Sequence, residues 1–176
     1  MIDVKSNDTG KVKEINEESL SVKYLVKKDA RLKKLIGAIG PISYVLHNEE
    51  AYSFLVHEII EQMLSMKAGT VIFNRLVELC GGVITPEAIN QLSDEDIKGV
   101  GTANSKVKCI RCLTNSVLNG DIDFDKLSEL DDGQVMEALM KIKGIGKWTA
   151  KMFLIFSLDR QDVLPYEDVA FLQAFT

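Results

Sequence analysis

The stretch Leu139-Met-Lys-Ile-Lys-Gly-Ile-Gly-Lys-Trp-Thr-Ala150 constrains this chain more than any other. An apolar run at helical spacing enters it, two glycines interrupt it, and a second apolar run leaves it. The pattern predicts a helix, a tight turn and a second helix. Gly144 and Gly146 let the backbone turn sharply and approach another surface where a side chain would clash. Such a turn leaves the first amides of the second helix unpaired. Together with the positive end of the helix dipole, they suit a phosphate. Lys141, Lys143, Lys147 and Lys151 crowd the same segment and add point charges for an anionic backbone.

The flanking sequence reads as helix almost throughout. Residues 1–21 form a polar tail or a short adaptor strand, with Ser19 to Val26 able to make a strand. Asp29 caps a helix carrying Leu32, Leu35, Ile36 and Ile39, ended by Gly40-Pro41. Tyr52, Leu55, Val56, Ile59, Ile60 and Met63 recur at 3-4 spacing and predict one apolar stripe. A third helix runs from about Thr70 to Cys80 and stops at Gly81-Gly82. Thr85-Pro86 and Ser93 start two short helices. Val107, Ile110, Leu113 and Val117 mark a longer one, closed by Asn119-Gly120. Asp131 or Asp132 caps the helix that enters the glycine turn. Trp148 to Leu158 is apolar on nearly all sides and predicts a central buried helix, and Asp168 begins a last one. No strand alternation follows Val26, so the class is all-α.

Composition sets the remaining bounds. The chain has 176 residues, enough for one domain with a real core, and 46% of them are hydrophobic. No apolar run is long enough to span a bilayer, and the polar N-terminus lacks a signal peptide's apolar core, so the expected location is the cytoplasm. The net charge of −5 excludes a strongly basic nucleic-acid binder but leaves a basic turn on an acidic body. Cys80, Cys109 and Cys112 are read as reduced thiols, with Cys109 and Cys112 buried in an apolar helix. His47 and His57 have no partner at metal-ligand spacing and are read as surface or core histidines. Ile97-Lys-Gly-Val-Gly101 echoes Ile142-Lys-Gly-Ile-Gly146, either as a second backbone clamp or as a repeated turn solution.

These residues resemble the helix-hairpin-helix (HhH-GPD) DNA glycosylase superfamily, and most closely its 3-methyladenine DNA glycosylase II branch. Gly144-Ile-Gly-Lys-Trp-Thr-Ala150 is similar to that branch's hairpin signature. Asp162-Val-Leu-Pro-Tyr-Glu-Asp168 looks like its segment ending in the catalytic aspartate. Ile59-Ile-Glu-Gln-Met-Leu-Ser65 looks like its Ile-Ile-x-Gln-Gln-Leu-Ser stretch, with Met63 at the second glutamine. The resemblance implies a multi-helical, two-lobed fold over residues 22–176. It also implies a C-terminally short domain, since members of the family are expected to continue with helices past the position of Thr176. On that expectation Val169, Phe171, Leu172 and Phe175 would lack cover and could drive association of a chain otherwise expected to be a monomer.

The resemblance further implies a base-excision enzyme acting on duplex DNA with a damaged base, nucleoid-associated while bound. It would flip out an alkylated purine such as 3-methyladenine and hydrolyse its N-glycosidic bond. Asp168 would stabilise the oxocarbenium character of the leaving sugar, with Glu167 as runner-up carboxylate. On position alone, Asp168 also reads as a helix cap. Trp148 and Met152 would wall the base pocket, or Trp148 is core. The backbone at Gly144, Ile145, Gly146, Lys147 and Thr149 would hold phosphate. Met63 or Leu64 would fill the gap left by the flipped base, or both belong to the helix stripe. Trp148 stands where strand-cutting relatives carry a Schiff-base lysine, which implies a monofunctional enzyme without lyase activity. No cofactor is required. A structural Na⁺ or K⁺ on the main chain of Met140, Ile142 and Ile145 is implied, and an iron–sulfur cluster is excluded by three scattered cysteines. The alternatives are an inactive or truncated DNA-binding module, or a glycosylase for oxidised or deaminated bases.

Overall fold

The computed structural model of the chain describes residues 11–47 and 50–173. The expected tail at residues 1–10 and the apolar side chain of Phe175 lie outside them. The chain divides into two compact units, residues 1–47 and residues 48–176.

The first unit joins a two-stranded ribbon to two helices. Strand β1 (Lys11–Ile15) pairs antiparallel with β2 (Ile42–Leu46), in the register Lys11 opposite Leu46 and Ile15 opposite Ile42. Between them lie α1 (Leu20–Lys28) and α2 (Ala30–Ile39). Two expectations are corrected here. The segment from Ser19 to Val26 is helix, not strand. A turn in which Ser19 N–H donates to the Asn16 carbonyl at 3.0 Å starts it, and Lys27 and Lys28 complement the dipole at its end. A strand does follow Val26. The alternation Ile42, Tyr44, Leu46 is short, and its partner lies 27 or more residues upstream, so no local pattern announces it. Asp29 caps α2 as expected, accepting from the amides of Arg31 and Leu32, and Gly40 ends it at φ +75°.

The second unit is helical among its described residues. Its order is α3 (Ala51–Glu61), α4 (Met66–Leu79), α5 (Pro86–Gln91), α6 (Asp94–Gly99), α7 (Asn104–Leu118), α8 (Phe124–Glu129), α9 (Asp132–Met140), α10 (Lys147–Phe156) and α11 (Val169–Gln173). Helix α3 runs through the middle. Leu55, Val56, Ile59 and Ile60 lose all solvent contact, and each such burial stabilises by roughly 1.5–3 kcal/mol. Around them close Leu76 of α4, Ile110 and Leu113 of α7, Leu139 of α9, and Phe153 and Leu154 of α10. A hydroxyl pair inside is satisfied internally, Tyr52 Oη to Thr114 Oγ1 at 2.8 Å. Helix α4 starts at Met66 rather than near Thr70, because Ser65 Oγ accepts the Ala68 amide and caps it. The acidic stretch from Asp121 to Asp132 holds α8, capped by Asp123.

The glycine turn is seated on α7. Gly144 has φ +101°, and a Cβ built there would lie 2.6 Å from Cys109 Sγ and 2.7 Å from Cys109 Cβ. Gly101, before α7, has a similar φ of +110°, but a Cβ there would come no nearer than 3.4 Å to any neighbour, at Ile72 Cγ1. The pair therefore separates backbone strain from loss of contact space. Gly101→Ala should cost about 1–2 kcal/mol of strain alone. Gly144→Ala should cost about 2–4 kcal/mol, adding overpacking against α7. Urea unfolding of both variants checks this order; equal losses would contradict the close seat.

Candidate functional site

The hairpin presents backbone rather than side chains. Helix α10 has Gly146 as its N-cap, with no side-chain cap, and the amides of Gly146, Lys147, Trp148 and Thr149 donate to nothing among the described residues. Ile145 and Thr149 turn their side chains into the core, at 4% and 1% exposure, so only their main chain can meet a ligand. Gly144, Gly146 and Lys147 are exposed. Of the four lysines, Lys141 pairs with Glu137 at 3.3 Å and Lys151 with Glu167 at 2.7 Å. Lys143 and Lys147 face solvent and make no ion pair among the described residues.

Side chains from elsewhere brace the turn. Gln62 Nε2 donates to Thr149 Oγ1 at 2.9 Å and to the Gly144 carbonyl at 3.4 Å, tying the end of α3 to the hairpin. Lys106 Nζ donates to the carbonyls of Ile60 and Gln62 at 2.7 and 2.8 Å. It satisfies the C-terminal carbonyls of α3 with a charge of the sign its dipole favours. Gln62, Met63, Leu64, Lys106, Cys109 and Gly144 line a shared cavity of about 310 Å³. Neither Lys106 nor Cys109 carried a sequence signal for this role, because both act across 35 or more residues of chain.

Met63 leaves the apolar stripe to which its spacing assigned it. Helix α3 stops at Glu61, and Met63 takes φ +59° with its side chain fully exposed. A left-handed residue just past a helix end is usually glycine, so an exposed methionine here stores strain. Leu64, beside it, is 40% exposed.

Trp148 and Asp168 meet directly. The indole N–H donates to Asp168 Oδ2 at 2.7 Å, and the Phe171 amide donates to Asp168 Oδ1 at 2.7 Å. Asp168 thus caps α11 with one oxygen and binds the hairpin helix with the other. The Phe171 amide first, then the Trp148 indole, hold its carboxyl below the usual aspartate value. It stays ionised and partly exposed. Trp148 is half-buried, its ring against the core and its N–H on the carboxylate. Glu167 is drawn away from this role, its pKa lowered by Lys151, whose ammonium also donates to the Leu164 carbonyl. Met152 lies one turn beyond Trp148 and is buried at 8% exposure.

Among the described residues the carbonyls of Met140 and Ile145 accept no backbone hydrogen bond, and that of Ile142 accepts one, from the Ile145 amide at 3.0 Å. The second glycine turn is no copy of the first: its positive φ falls at Gly101, the second glycine, rather than at the first. Burial pushes the Cys109 thiol up to about 12, which fits an inert core cysteine. His57 is not without a partner, as its spacing suggested. Its Nε2 lies 3.2 Å from Glu61 Oε1, one helical turn on.

Residues 56–176 match the HhH-GPD superfamily of base excision DNA repair proteins. The chain belongs to this superfamily. It is similar to DNA-3-methyladenine glycosylase 1 of Schizosaccharomyces pombe, 34% identical over 143 residues, which are 80% of this chain and 62% of that protein. It therefore spans less than two thirds of that relative's length. Among solved structures it is similar to a DNA-3-methyladenine glycosidase of Bacillus halodurans (TM-score 0.78, 37% identity, 89% of this chain and 72% of that one). It is also similar to the S. pombe 3-methyladenine DNA glycosylase in complex with abasic DNA (TM-score 0.78, 31% identity, 84% and 74%).

Two outcomes follow from this HhH-GPD geometry. Trp148→Phe removes the one side-chain donor among the groups that depress Asp168, so its pKa should rise toward the ordinary aspartate value. Carboxyl ¹³C NMR titration reads this directly; an unmoved pKa would mean the indole bond does not persist in solution. Met63→Gly relieves the left-handed strain and should stabilise the fold by about 0.5–1 kcal/mol in urea unfolding. A loss of stability would show that Met63 is held by packing instead.

Proposed function

We propose that this chain is a DNA glycosylase that hydrolyses the N-glycosidic bond of alkylated purines, such as 3-methyladenine, in duplex DNA. The observation that carries the reading is the 2.7 Å bond joining Asp168 to the first turn of the hairpin helix. It puts a fixed anion beside the backbone amides that suit a phosphate. In this reading the free amides of Gly146, Lys147, Trp148 and Thr149 grip the strand, aided by Lys143 and Lys147. Met63, with Leu64 behind it, enters the stack where the damaged nucleotide has left. The everted base lies against the half-buried indole of Trp148, with Met152 beneath. An alkylated purine is cationic, so the indole face adds on the order of 0.5–2 kcal/mol of cation–π attraction.

As the bond to the base lengthens, positive charge grows on the sugar. The Asp168 carboxylate, kept ionised by the Phe171 amide and the Trp148 indole above all, interacts more strongly with the sugar in the transition state than in the ground state. It also orients the attacking water. Lys151 is committed to Glu167 and the Leu164 carbonyl, which supports hydrolysis without a Schiff-base lyase step. The carbonyls of Met140 and Ile145, with the second lone pair of the Ile142 carbonyl, suit a Na⁺ or K⁺ ion, which would stiffen the turn and requires no role in the reaction.

Asp168→Asn is the discriminating variant: its carbonyl oxygen can still cap α11, its amide cannot accept the Trp148 indole N–H, and thermal melting checks that the fold survives. Base release from N-methylated duplex DNA should fall by about 10²-fold or more, with duplex affinity nearly unchanged. Strand breaks should appear only after alkali, and borohydride should trap no covalent adduct. Wild-type protein that binds duplex but releases no base would favour a DNA-binding module. Activity on 8-oxoguanine but not on methylpurines would overturn the alkylated substrate.

A further inference from the structure

One cluster of potential ligands stands apart from the hairpin. His57, Glu58 and Glu61 lie one and four residues apart on α3, and one donor atom from each falls within 4.8 Å of the others. His57 Nε2 and Glu61 Oε1 are already 3.2 Å apart, close to the roughly 3.3 Å between neighbouring ligands of a tetrahedral Zn²⁺ ion with bonds near 2.0–2.1 Å. The cluster faces α4. The His57 ring lies 4.5 Å from that of Phe73, and Gly69 leaves the space in which Glu61 lies, since a Cβ there would come within 2.6 Å of Glu61 Cγ.

Glu58 is the independent observation. It is only 9% exposed, and its carboxylate accepts no hydrogen bond among the described residues. Burial first pushes its pKa up to about 7; His57 opposes the rise and Glu61 adds to it. A buried carboxylate beside a second one is costly unless a cation or a proton joins them. Imidazole nitrogen with two carboxylates is a donor set that suits Zn²⁺ and its first-row neighbours rather than Mg²⁺.

We infer that His57, Glu58 and Glu61 form a binding site for a first-row divalent cation such as Zn²⁺ on the face of α3 that meets α4. Three protein donors bind the ion, and a modest rotation of the Glu58 carboxylate closes the shell. A water fills the fourth position. Glu61 is the last residue of α3, so the ion ties down the turn that precedes Gln62 and Met63.

The test is calorimetric titration of the chelator-stripped full chain with ZnCl₂, beside Glu58→Gln and His57→Gln. Both variants are checked for folding by thermal melting. Wild type should bind one ion, and each variant should bind at least tenfold more weakly. Zn²⁺ should raise the melting temperature of wild type alone, and MgCl₂ should raise neither. The Co²⁺ adduct should lack a sulfur-to-cobalt charge-transfer band, which separates this site from the three cysteines. Absence of binding, equal binding by Glu58→Gln, or a thiolate band would each overturn the proposal; in that case Glu58 is buried as a neutral acid.

Discussion

The seat of the hairpin on α7 is the constraint from which the site follows. Gly144 comes so near Cys109 that no side chain fits between them. That approach fixes the turn against a helix whose own apolar face, Ile110 and Leu113, is fully buried. Once the turn is fixed, α10 starts in one place. Its first side chain past Lys147 is Trp148, whose ring lies on the core and whose N–H points outward to Asp168. The carboxylate therefore inherits its position from packing twenty residues away in sequence. The free amides of the same helix start inherit theirs too.

Stability is given up around this seat in several small pieces. Helix α10 begins without a side-chain cap, where a serine or aspartate would add about 1 kcal/mol. Met63 occupies a left-handed conformation and holds an apolar side chain in water. Glu58 is 9% exposed, and its carboxylate accepts no hydrogen bond among the described residues. Each departs from what folding alone favours, and each lies on or beside the two ends of chain, α3 and α10, that Gln62 joins. Structural preference and local strain separate most often where a protein contacts something else.

Much of this was legible from the residues. The 3-4 spacing of Leu55, Val56, Ile59 and Ile60 found the central helix, because burial on all sides leaves a strong periodic signal. Asp29, Ser93, Thr85 and Asp131 marked helix starts, because capping is chemistry between near neighbours in sequence. What was missed is non-local or ambiguous in period. Leu20, Val22 and Tyr24 alternate like a strand, yet an adjacent turn starts a helix there, in which only Val22 is buried. Ile42 to Leu46 needed a partner strand far upstream. Met63 fits the stripe by count but falls two residues past the end of the helix. Trp148 and Asp168 were each singled out, but two separate roles were assigned to them. That one donates to the other depends on how the loop from Ser157 to Glu167 returns, and no motif encodes that. Lys106 gave no signal, since a lysine on an amphipathic helix normally lies in solvent.

A crystal structure of this chain with a duplex holding a cationic sugar analogue at one site tests the central claim most directly. The account predicts phosphate oxygens within hydrogen-bond distance of the Gly146 to Thr149 amides. The analogue's charged ring should lie against Asp168, with the Trp148 bond retained. A duplex bound through another face, or an analogue ring facing away from Asp168, would contradict it.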